Sequence, residues 1–240
     1  MSNQKFIQFG LLLMLTVCCH SINAQTAMED NSHLTLKQQS IATIAALTAK
    51  GDWDNLKTGL SQGLDNGLTI NEIKEELVHL YAYTGFPKSI SGLKVFIEVL
   101  DERKINGIKD IQGKEASPID DNNDKYERGK AVLEELLQSP LPETQPEYQQ
   151  FSSTMDRFLK EHLFADIFER DVLSYQQREL TTVSALIALG NVQPMLRSHL
   201  KICIIQGFTK KQMEHLVETL KPYLKKKKIK SAKKIIKELE

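Results

Sequence analysis

Cysteine is scarce in this chain of 240 residues, which contains three. Cys18 and Cys19 lie in an N-terminal apolar run that is expected to be removed, so Cys203 alone remains in the mature protein. A single thiol cannot form an internal disulfide. The isoleucines on either side of Cys203 favour a buried, inert thiol over a reactive one.

A net charge, metal-binding spacings and strand patterns are also absent. The chain has 31 basic and 31 acidic residues, so no global field attracts nucleic acid, and none is expected as a partner. The six histidines include no His-x-x-x-His pair and no cluster with cysteine, so neither a metal ion nor another cofactor is expected. Because no run alternates Val, Ile or Thr with polar residues, the sequence predicts an all-α fold.

The first 24 residues are typical of a secretory signal peptide. Lys5 supplies positive charge, an apolar run follows over residues 9–19, and Ala24 offers a cleavage site. The residue before Cys18 is Val17, which fits a lipoprotein signal poorly, so cleavage after Ala24 is preferred to lipid attachment. The mature chain, which starts with a polar leader over residues 25–32, is therefore expected to be exported, to the periplasm or outside the cell.

The C-terminal segment is rich in lysine, but it keeps apolar residues at helical spacing, among them Ile229, Ile235 and Ile236. This pattern favours a packed helix with a basic, solvated face over a nucleic-acid patch. Membrane contact is expected to amount to no more than weak attraction to anionic headgroups.

Two stretches of the chain repeat each other in order. Ile41 aligns with Leu180 at an offset of 139, and after one extra residue in the second stretch Leu56 aligns with Leu196 at an offset of 140. We name the two copies repeat 1 and repeat 2. The sequence predicts repeat 1 over residues 33–104, a linker with one helix over residues 105–147, and repeat 2 over residues 148–240.

Each repeat is predicted to contain four helices, with clear start and stop signals in repeat 1. Thr69 and Glu72 have the spacing of a capping box at the start of the third helix, and Gly85 and Pro87 indicate a break before the fourth. Four helices are too few to bury both faces, so the repeats are expected to pack on each other as a pseudo-dimer.

Several motifs together resemble the carboxymuconolactone decarboxylase family, whose fold is shared with alkylhydroperoxidase D. In repeat 2 these are Arg-Glu-Leu-x-Thr over residues 178–182, Leu-Arg-Ser-His-Leu over 196–200 and Gly-x-Thr over 207–209. Repeat 1 supplies Asn-Gly-Leu-Thr-x-x-Glu over 66–72 and His-Leu-Tyr-Ala-Tyr-Thr-Gly-Phe-Pro over 79–87. The resemblance implies two fused repeats of that fold, and further assembly into a homo-oligomer.

The family includes a peroxidase branch, for which peroxiredoxin-type activity is the usual label. That branch carries Cys-x-x-Cys seven and four residues before the histidine, and here those positions hold Val192 and Met195. Reduction of a peroxide by a dithiol needs both thiols. The missing cysteines argue against this activity. A peroxidase that uses Cys203 alone is the remaining alternative, and it is less favoured.

The decarboxylase branch works without those cysteines, by acid–base chemistry on a small carboxylated or lactone-type molecule. The resemblance assigns the catalytic roles to Glu179 and His199, which lie on consecutive helices, and a carboxylate beside an imidazole can move a proton next to a carbonyl. Arg197 is a candidate to bind a substrate carboxylate. Alternatively, Glu179 favours its helix N-terminus through the dipole.

Neither repeat holds a complete set of these residues. Repeat 1 has Ser40 and Gly59 in place of Glu179 and His199, and repeat 2 has Thr219 in place of His79. We therefore expect one composite site, in which His79 and Tyr83 of repeat 1 bind the substrate. A hydrogen-bonded core histidine is the alternative for His79. Arg178 is expected to be a surface or interface charge, and a non-catalytic binding or scaffold protein is the alternative function.

Overall fold

A computed structural model describes residues 32–119 and 122–239 of the chain. The expected signal peptide lies outside these residues, as does the leader apart from Ser32. Every regular element in the described part is helical, which confirms the all-α class. No helix within those two ranges is both long enough and apolar enough to cross a membrane.

Repeat 1 consists of three helical elements, the last of which is kinked. Thr69 forms the predicted capping box with Glu72, whose side chain accepts a hydrogen bond from the Thr69 backbone N–H at 2.9 Å. Gly85 interrupts the helix that follows with φ 78° and ψ 161°, a conformation that glycine adopts without steric cost. The predicted break therefore appears as a kink within one element. The elements are α1 (Leu36–Lys50), α2 (Trp53–Asp65) and α3 (Ile70–Ile105).

Repeat 2 follows the same order, with its last helix separate from the third. Ser174 caps the first of these helices through a capping box with Gln177. Gly190 ends that helix with φ 69°, and Asn191, which follows it, also has a positive φ of 60°. The one extra residue of repeat 2 falls in this turn region. The helices are α7 (Tyr175–Leu189), α8 (Gln193–Ile205), α9 (Lys210–Leu220) and α10 (Lys226–Lys237).

The two repeats share one hydrophobic core, built around the contact of α1 with α7. Every residue of α1 from Ser40 to Ala49 is buried, and so is every residue of α7 from Arg178 to Ala188. A helix that is buried on all faces lies at the centre of a protein and not on its surface. This arrangement confirms the prediction that the repeats pack on each other as a pseudo-dimer.

The linker and the first part of repeat 2 together form a small unit against the rest of repeat 2. It contains α4 (Lys125–Leu137), α5 (Glu147–Phe151), α6 (Ser153–Arg157) and a π-helix (Phe158–Phe168). The α4 helix packs on the π-helix around a second apolar cluster, which includes Leu136, Phe168 and Ile202. The sequence pattern over residues 148–168 predicts a helix, but it does not predict the wider π-helical winding. Phe168 brings this unit close to the boundary between the repeats.

Candidate active site

Glu179 and His199 form a direct pair between α7 and α8. Glu179 Oε2 lies 2.8 Å from His199 Nδ1, although the two residues are 20 positions apart in sequence. The carboxylate is fully buried, whereas the imidazole keeps 19% of its side-chain surface exposed. The pair therefore has a buried anion behind a histidine whose ring is open to the solvent on one side.

This geometry selects one form of the imidazole. An ionised carboxylate only accepts hydrogen bonds, so the proton between the two groups belongs to Nδ1 of His199. In the neutral ring the lone pair then lies on Nε2, which is the nitrogen directed away from Glu179. Nε2 can therefore accept a proton from a bound molecule and return it.

Repeat 1 contributes two aromatic rings to the same place. The Tyr83 ring lies edge-on to the His199 ring, with centroids 6.0 Å apart and planes at 82°. The His79 ring lies 5.3 Å from the Tyr83 ring. The structure therefore brings Glu179, His199, His79 and Tyr83 together across the boundary between the repeats.

Three buried polar atoms around this group have no hydrogen-bond partner among the described residues. They are Oε1 of Glu179, the hydroxyl oxygen of Tyr83 and Nε of Arg178. Burial and the charge of Glu179 raise the pKa of the Tyr83 phenol above its usual range, so the phenol stays protonated. Because buried polar atoms are nearly always hydrogen-bonded, a cluster of unsatisfied atoms indicates a position for a polar group of a ligand or for a water molecule.

Arg178 was predicted to be a surface or interface charge, and the structure corrects the first of these alternatives. It is an interface charge, but it is fully buried and does not lie on the surface. Its Nη2 donates to Glu75 Oε1 at 2.8 Å and to the backbone oxygen of Arg170 at 2.6 Å. Glu75 also accepts two hydrogen bonds from Nε of Arg170 and one from its Nη2.

His79 lies between this ion pair and the Tyr83 ring. Its Nε2 is 2.8 Å from the Thr182 hydroxyl, and its Nδ1 is 3.4 Å from Nη1 of Arg178. Burial, together with the charge of Arg178, lowers the pKa of His79 well below its usual value. His79 is therefore a neutral, hydrogen-bonded histidine, as in the alternative interpretation of the sequence, and it also lies next to the candidate site.

The structure does not bring Arg197 to this group. Its Nη2 pairs with Oε2 of Glu238 at 2.5 Å, and both side chains are exposed by about two fifths. Residues two positions apart on a helix do not share a face, so the side chain of Arg197 points away from that of His199. Arg197 is therefore an unsuitable ligand for a substrate carboxylate bound at His199.

Comparison with known proteins agrees with the motifs. Residues 22–98 and 154–238 each match the Carboxymuconolactone decarboxylase family, so the match falls on both repeats and covers more than half of the chain. The chain belongs to this family. A curated relative, the 4-carboxymuconolactone decarboxylase of Acinetobacter baylyi, is 27% identical over 94 residues, which are 39% of this chain and 69% of the relative.

This member of the carboxymuconolactone decarboxylase family does not have the two cysteines of the dithiol peroxidase branch. Val192 and Met195 occupy the two positions before His199 at which that branch carries cysteine. Cys203 is fully buried, and burial together with the charge of Glu179 raises the pKa of its thiol well above the usual value. A thiol held in this form is a poor nucleophile.

The equivalent site in repeat 1 of this family member lacks the acid–base pair. Ser40, in place of Glu179, accepts a hydrogen bond from the Asn66 amide at 3.0 Å. Gly59 stands in place of His199, and a Cβ atom there would lie 3.4 Å from Leu47 and 3.6 Å from Thr43. A side chain at position 59 would therefore be in ordinary van der Waals contact with the core, and the site in repeat 1 lacks both acid–base groups.

Proposed function

We propose that this chain is an exported enzyme of decarboxylase or lactone-lyase type, which acts on a small carboxylated metabolite at a site shared by the two repeats. The observation that supports the proposal is the hydrogen bond between buried Glu179 and partly exposed His199. A histidine that is oriented by a carboxylate and open on its other nitrogen is the usual arrangement of a general base.

In this proposal, His199 Nε2 exchanges a proton with a substrate carbon beside a carbonyl group. Loss of carbon dioxide breaks the bond between that carbon and the carboxylate, and the electron pair passes into the conjugated carbonyl system. His199 starts this step as the imidazolium, delivers its proton to a carbon of the resulting enolate and becomes neutral. It then takes up a new proton from water before the next turnover, and Glu179 keeps its charge throughout. The protonated phenol of Tyr83 can donate a hydrogen bond to a substrate oxygen, while the free Oε1 of Glu179 can accept one.

The first test uses 4-carboxymuconolactone, since the curated relative is named for this substrate. Release of carbon dioxide is measured for the wild type and for His199→Gln and Glu179→Gln. We expect each variant to lower kcat by about 100-fold or more, because each removes one half of the acid–base pair. Arg197→Gln is the control and should leave turnover unchanged, since Arg197 lies away from the pair. Wild-type activity in both pair variants would refute their assigned roles.

A second test addresses the contribution of repeat 1. If the site is shared, His79→Ala reduces ligand binding and turnover, because it removes the ring beside Tyr83 and leaves the Thr182 hydroxyl without its His79 partner. If His79→Ala leaves both unchanged while His199→Ala abolishes both, the site belongs to repeat 2 alone.

A second candidate function is non-catalytic binding or scaffolding. The loss of the equivalent site in repeat 1, where Gly59 is packed against Leu47 and Thr43, favours it. A wild-type protein that binds carboxylated lactones but releases no carbon dioxide or isomerised product from any of them would support this candidate over the enzyme.

Export and self-association are part of the proposal. Mass spectrometry of the protein recovered from expressing cells should give an N-terminus at Gln25, as cleavage after Ala24 requires. Light scattering on the purified protein should give a mass that is a multiple of the single chain. An N-terminus that retains Met1 would contradict export, and the mass of a single chain would contradict self-association.

A further inference from the structure

A cavity of about 190 Å³ lies in repeat 2, where the end of α7 meets the starts of α8 and α10. Leu186, Leu189 and Val192 are part of its apolar wall, and Lys225, Lys227 and Lys228 lie around it as well. Leu186 is seven residues from Glu179 along α7, a distance of roughly 10 Å at 1.5 Å per residue. The cavity is thus separate from the pair of Glu179 and His199.

The lysines of this cavity differ from the other lysines of α10 in their ion pairing among the described residues. Within the described ranges, none of the carboxylates forms an ion pair with Lys225, Lys227 or Lys228, although other lysines of α10 do pair with Glu218 and Glu238. The ammonium group of Lys228 instead donates to the backbone oxygen of Ala188. Burial, followed by the charges of Lys225, Lys88 and Lys50, lowers the pKa of Lys228. Positive charges are therefore gathered beside an apolar space, and none of the described carboxylates pairs with them.

The corresponding region of repeat 1 shows how the same fold closes this space. At the offset of 140, Trp53 corresponds to Gln193, and Asp52 corresponds to Val192. The Trp53 ring lies over Gly51, where a Cβ atom would be 3.5 Å from it, and Asp52 pairs with Lys50 at 2.6 Å.

Repeat 1 also lacks two of the lysines. At the same offset, Gly85 and Pro87 correspond to Lys225 and Lys227, whereas Lys88 corresponds to Lys228. Repeat 1 thus places an aromatic ring beside Gly51 and pairs Lys50 with Asp52, whereas repeat 2 leaves a cavity at this position and has two more lysines around it.

We infer that this cavity binds a small amphipathic anion, with a carboxylate held by the lysines and a short apolar body against the leucines and Val192. The charge excludes a neutral or cationic ligand as the preferred one, because either would leave the repulsion between the lysines uncompensated. The volume lies below the roughly 300–1,000 Å³ of drug-sized sites, so the apolar body is short. The inference stands independently of the proposed catalytic function.

Hexanoate is a suitable probe, and its binding to the full chain can be followed by calorimetry. We expect hexanoate to bind at least tenfold more tightly than acetate, since four further methylene groups leave water. It should also bind at least tenfold more tightly than 1-hexanol, which lacks the charge. Inorganic phosphate should bind no better than acetate. Equal binding of all the anions would show a plain cationic patch and would overturn the inference, as would the absence of hexanoate binding at millimolar concentration.

Two lysine variants with the same loss of charge locate the site. Lys225→Gln with Lys227→Gln should weaken hexanoate binding at least tenfold. Lys226→Gln with Lys230→Gln removes two exposed lysines of the same segment that do not line the cavity, and it should change binding less than twofold. Equal effects of the two pairs would place the ligand elsewhere.

A third variant tests the apolar part without a change of charge. Ser231 lines the cavity, so Ser231→Leu should block it and weaken hexanoate binding at least tenfold, while acetate binding stays the same. Vesicles of phosphatidylglycerol serve as the probe for a lipid surface. If both lysine pairs reduce vesicle binding equally while hexanoate binding depends on the first pair alone, the cavity takes a free anion. If vesicle binding depends on the first pair alone and hexanoate does not bind, the assigned ligand is wrong.

Discussion

The guanidinium of Arg178 and the carboxylate of Glu75 meet at 2.8 Å with no more than 4% of either side chain exposed. They belong to different repeats, and Arg178 directly precedes Glu179. The ion pair therefore fixes the start of α7 to α3, the helix that carries His79 and Tyr83.

This ion pair leads to an asymmetric prediction for stability. Glu75→Gln leaves Arg178 buried without an anionic partner, which should lower the free energy of unfolding by about 3–5 kcal/mol. Arg178→Gln should cost less, because Glu75 keeps its hydrogen bonds to Arg170. Denaturant unfolding measures both. Glu238→Gln, which removes the exposed partner of Arg197, is the control and should cost less than about 1 kcal/mol. If Glu75→Gln costs no more than this control, the buried pair does not hold the repeats together.

Tyr83→Phe tests whether the Tyr83 hydroxyl has a role in function or in stability. Because the hydroxyl is buried without a partner among the described residues, its removal should leave stability unchanged or raise it by about 1 kcal/mol. Under the proposed function, the same change should lower turnover by about tenfold or more. Thermal unfolding and the carbon dioxide assay give the two values. A variant with full activity would remove Tyr83 from the site, and a strongly destabilised one would show a structural role for its hydroxyl.

Glu76 is a second buried carboxyl with unsatisfied oxygens among the described residues, and its surroundings differ from those of Glu179. The side chain is fully buried in α3, and neither of its oxygens has a hydrogen bond within the described residues. Burial, together with the nearby charge of Glu72, raises its pKa well above the usual value. Repeat 2 has Leu216 at the corresponding position. Glu76→Leu should therefore raise the free energy of unfolding at pH 7 by roughly 1–3 kcal/mol.

The pH dependence of this gain has a defined sign. A carboxyl whose pKa is higher in the folded protein favours unfolding once the pH passes the value in the unfolded chain, about 4.3 for glutamate. Between that pH and the folded pKa, the advantage of Glu76→Leu should grow by up to about 1.4 kcal/mol per pH unit. Urea unfolding of both proteins from pH 4 to pH 8 measures the difference. Glu76→Gln, which does not titrate, should show the same dependence relative to wild type. A constant difference would mean that Glu76 is not held protonated.

The tautomer of the His199 imidazole can be determined directly by NMR. Nitrogen-15 chemical shifts of the ring should show the proton on Nδ1 in the neutral wild-type protein, because Glu179 Oε2 accepts a hydrogen bond from that atom. Glu179→Met removes the acceptor and should shift the population towards the form with the proton on Nε2. Arg197→Gln is the matched control on the same helix and should leave the spectrum unchanged. Identical spectra for wild type and Glu179→Met would show that the pair does not form in solution.

Local sequence signals predicted the helical part of this fold well. The capping box of Thr69 and Glu72 and the interruption at Gly85 both depend on neighbouring residues, so they can be read from a short stretch. Repetition between Ile41 and Leu180, and between Leu56 and Leu196, added the long-range information that the repeats share a core. The family motifs that contain Glu179 and His199 indicated in the same way that these two residues belong to one site.

Features that depend on a distant partner were not visible in the sequence. Arg178 looks like an ordinary helix charge, because Glu75 lies 103 residues away along the chain. Arg197 stands beside His199 in sequence, yet the helix turns it towards Glu238. Arg178 stands among the polar residues Gln176, Gln177 and Glu179, so its local sequence gives no signal of burial. The π-helical winding of Phe158–Phe168 left no local signal either.

The packing of Gly59 against Leu47 and Thr43 has a consequence for how the two repeats can change over time. In a symmetric pair of separate, identical subunits, any substitution enters both sites at once, so a loss at one site is a loss at every site. Joining the repeats in one chain removes this constraint, because each half carries its own sequence. Repeat 1 can therefore hold Gly59 where repeat 2 holds His199, and repeat 2 can hold Thr219 where repeat 1 holds His79. Under the proposed function, each half supplies residues that the other lacks, so the two halves cannot substitute for each other.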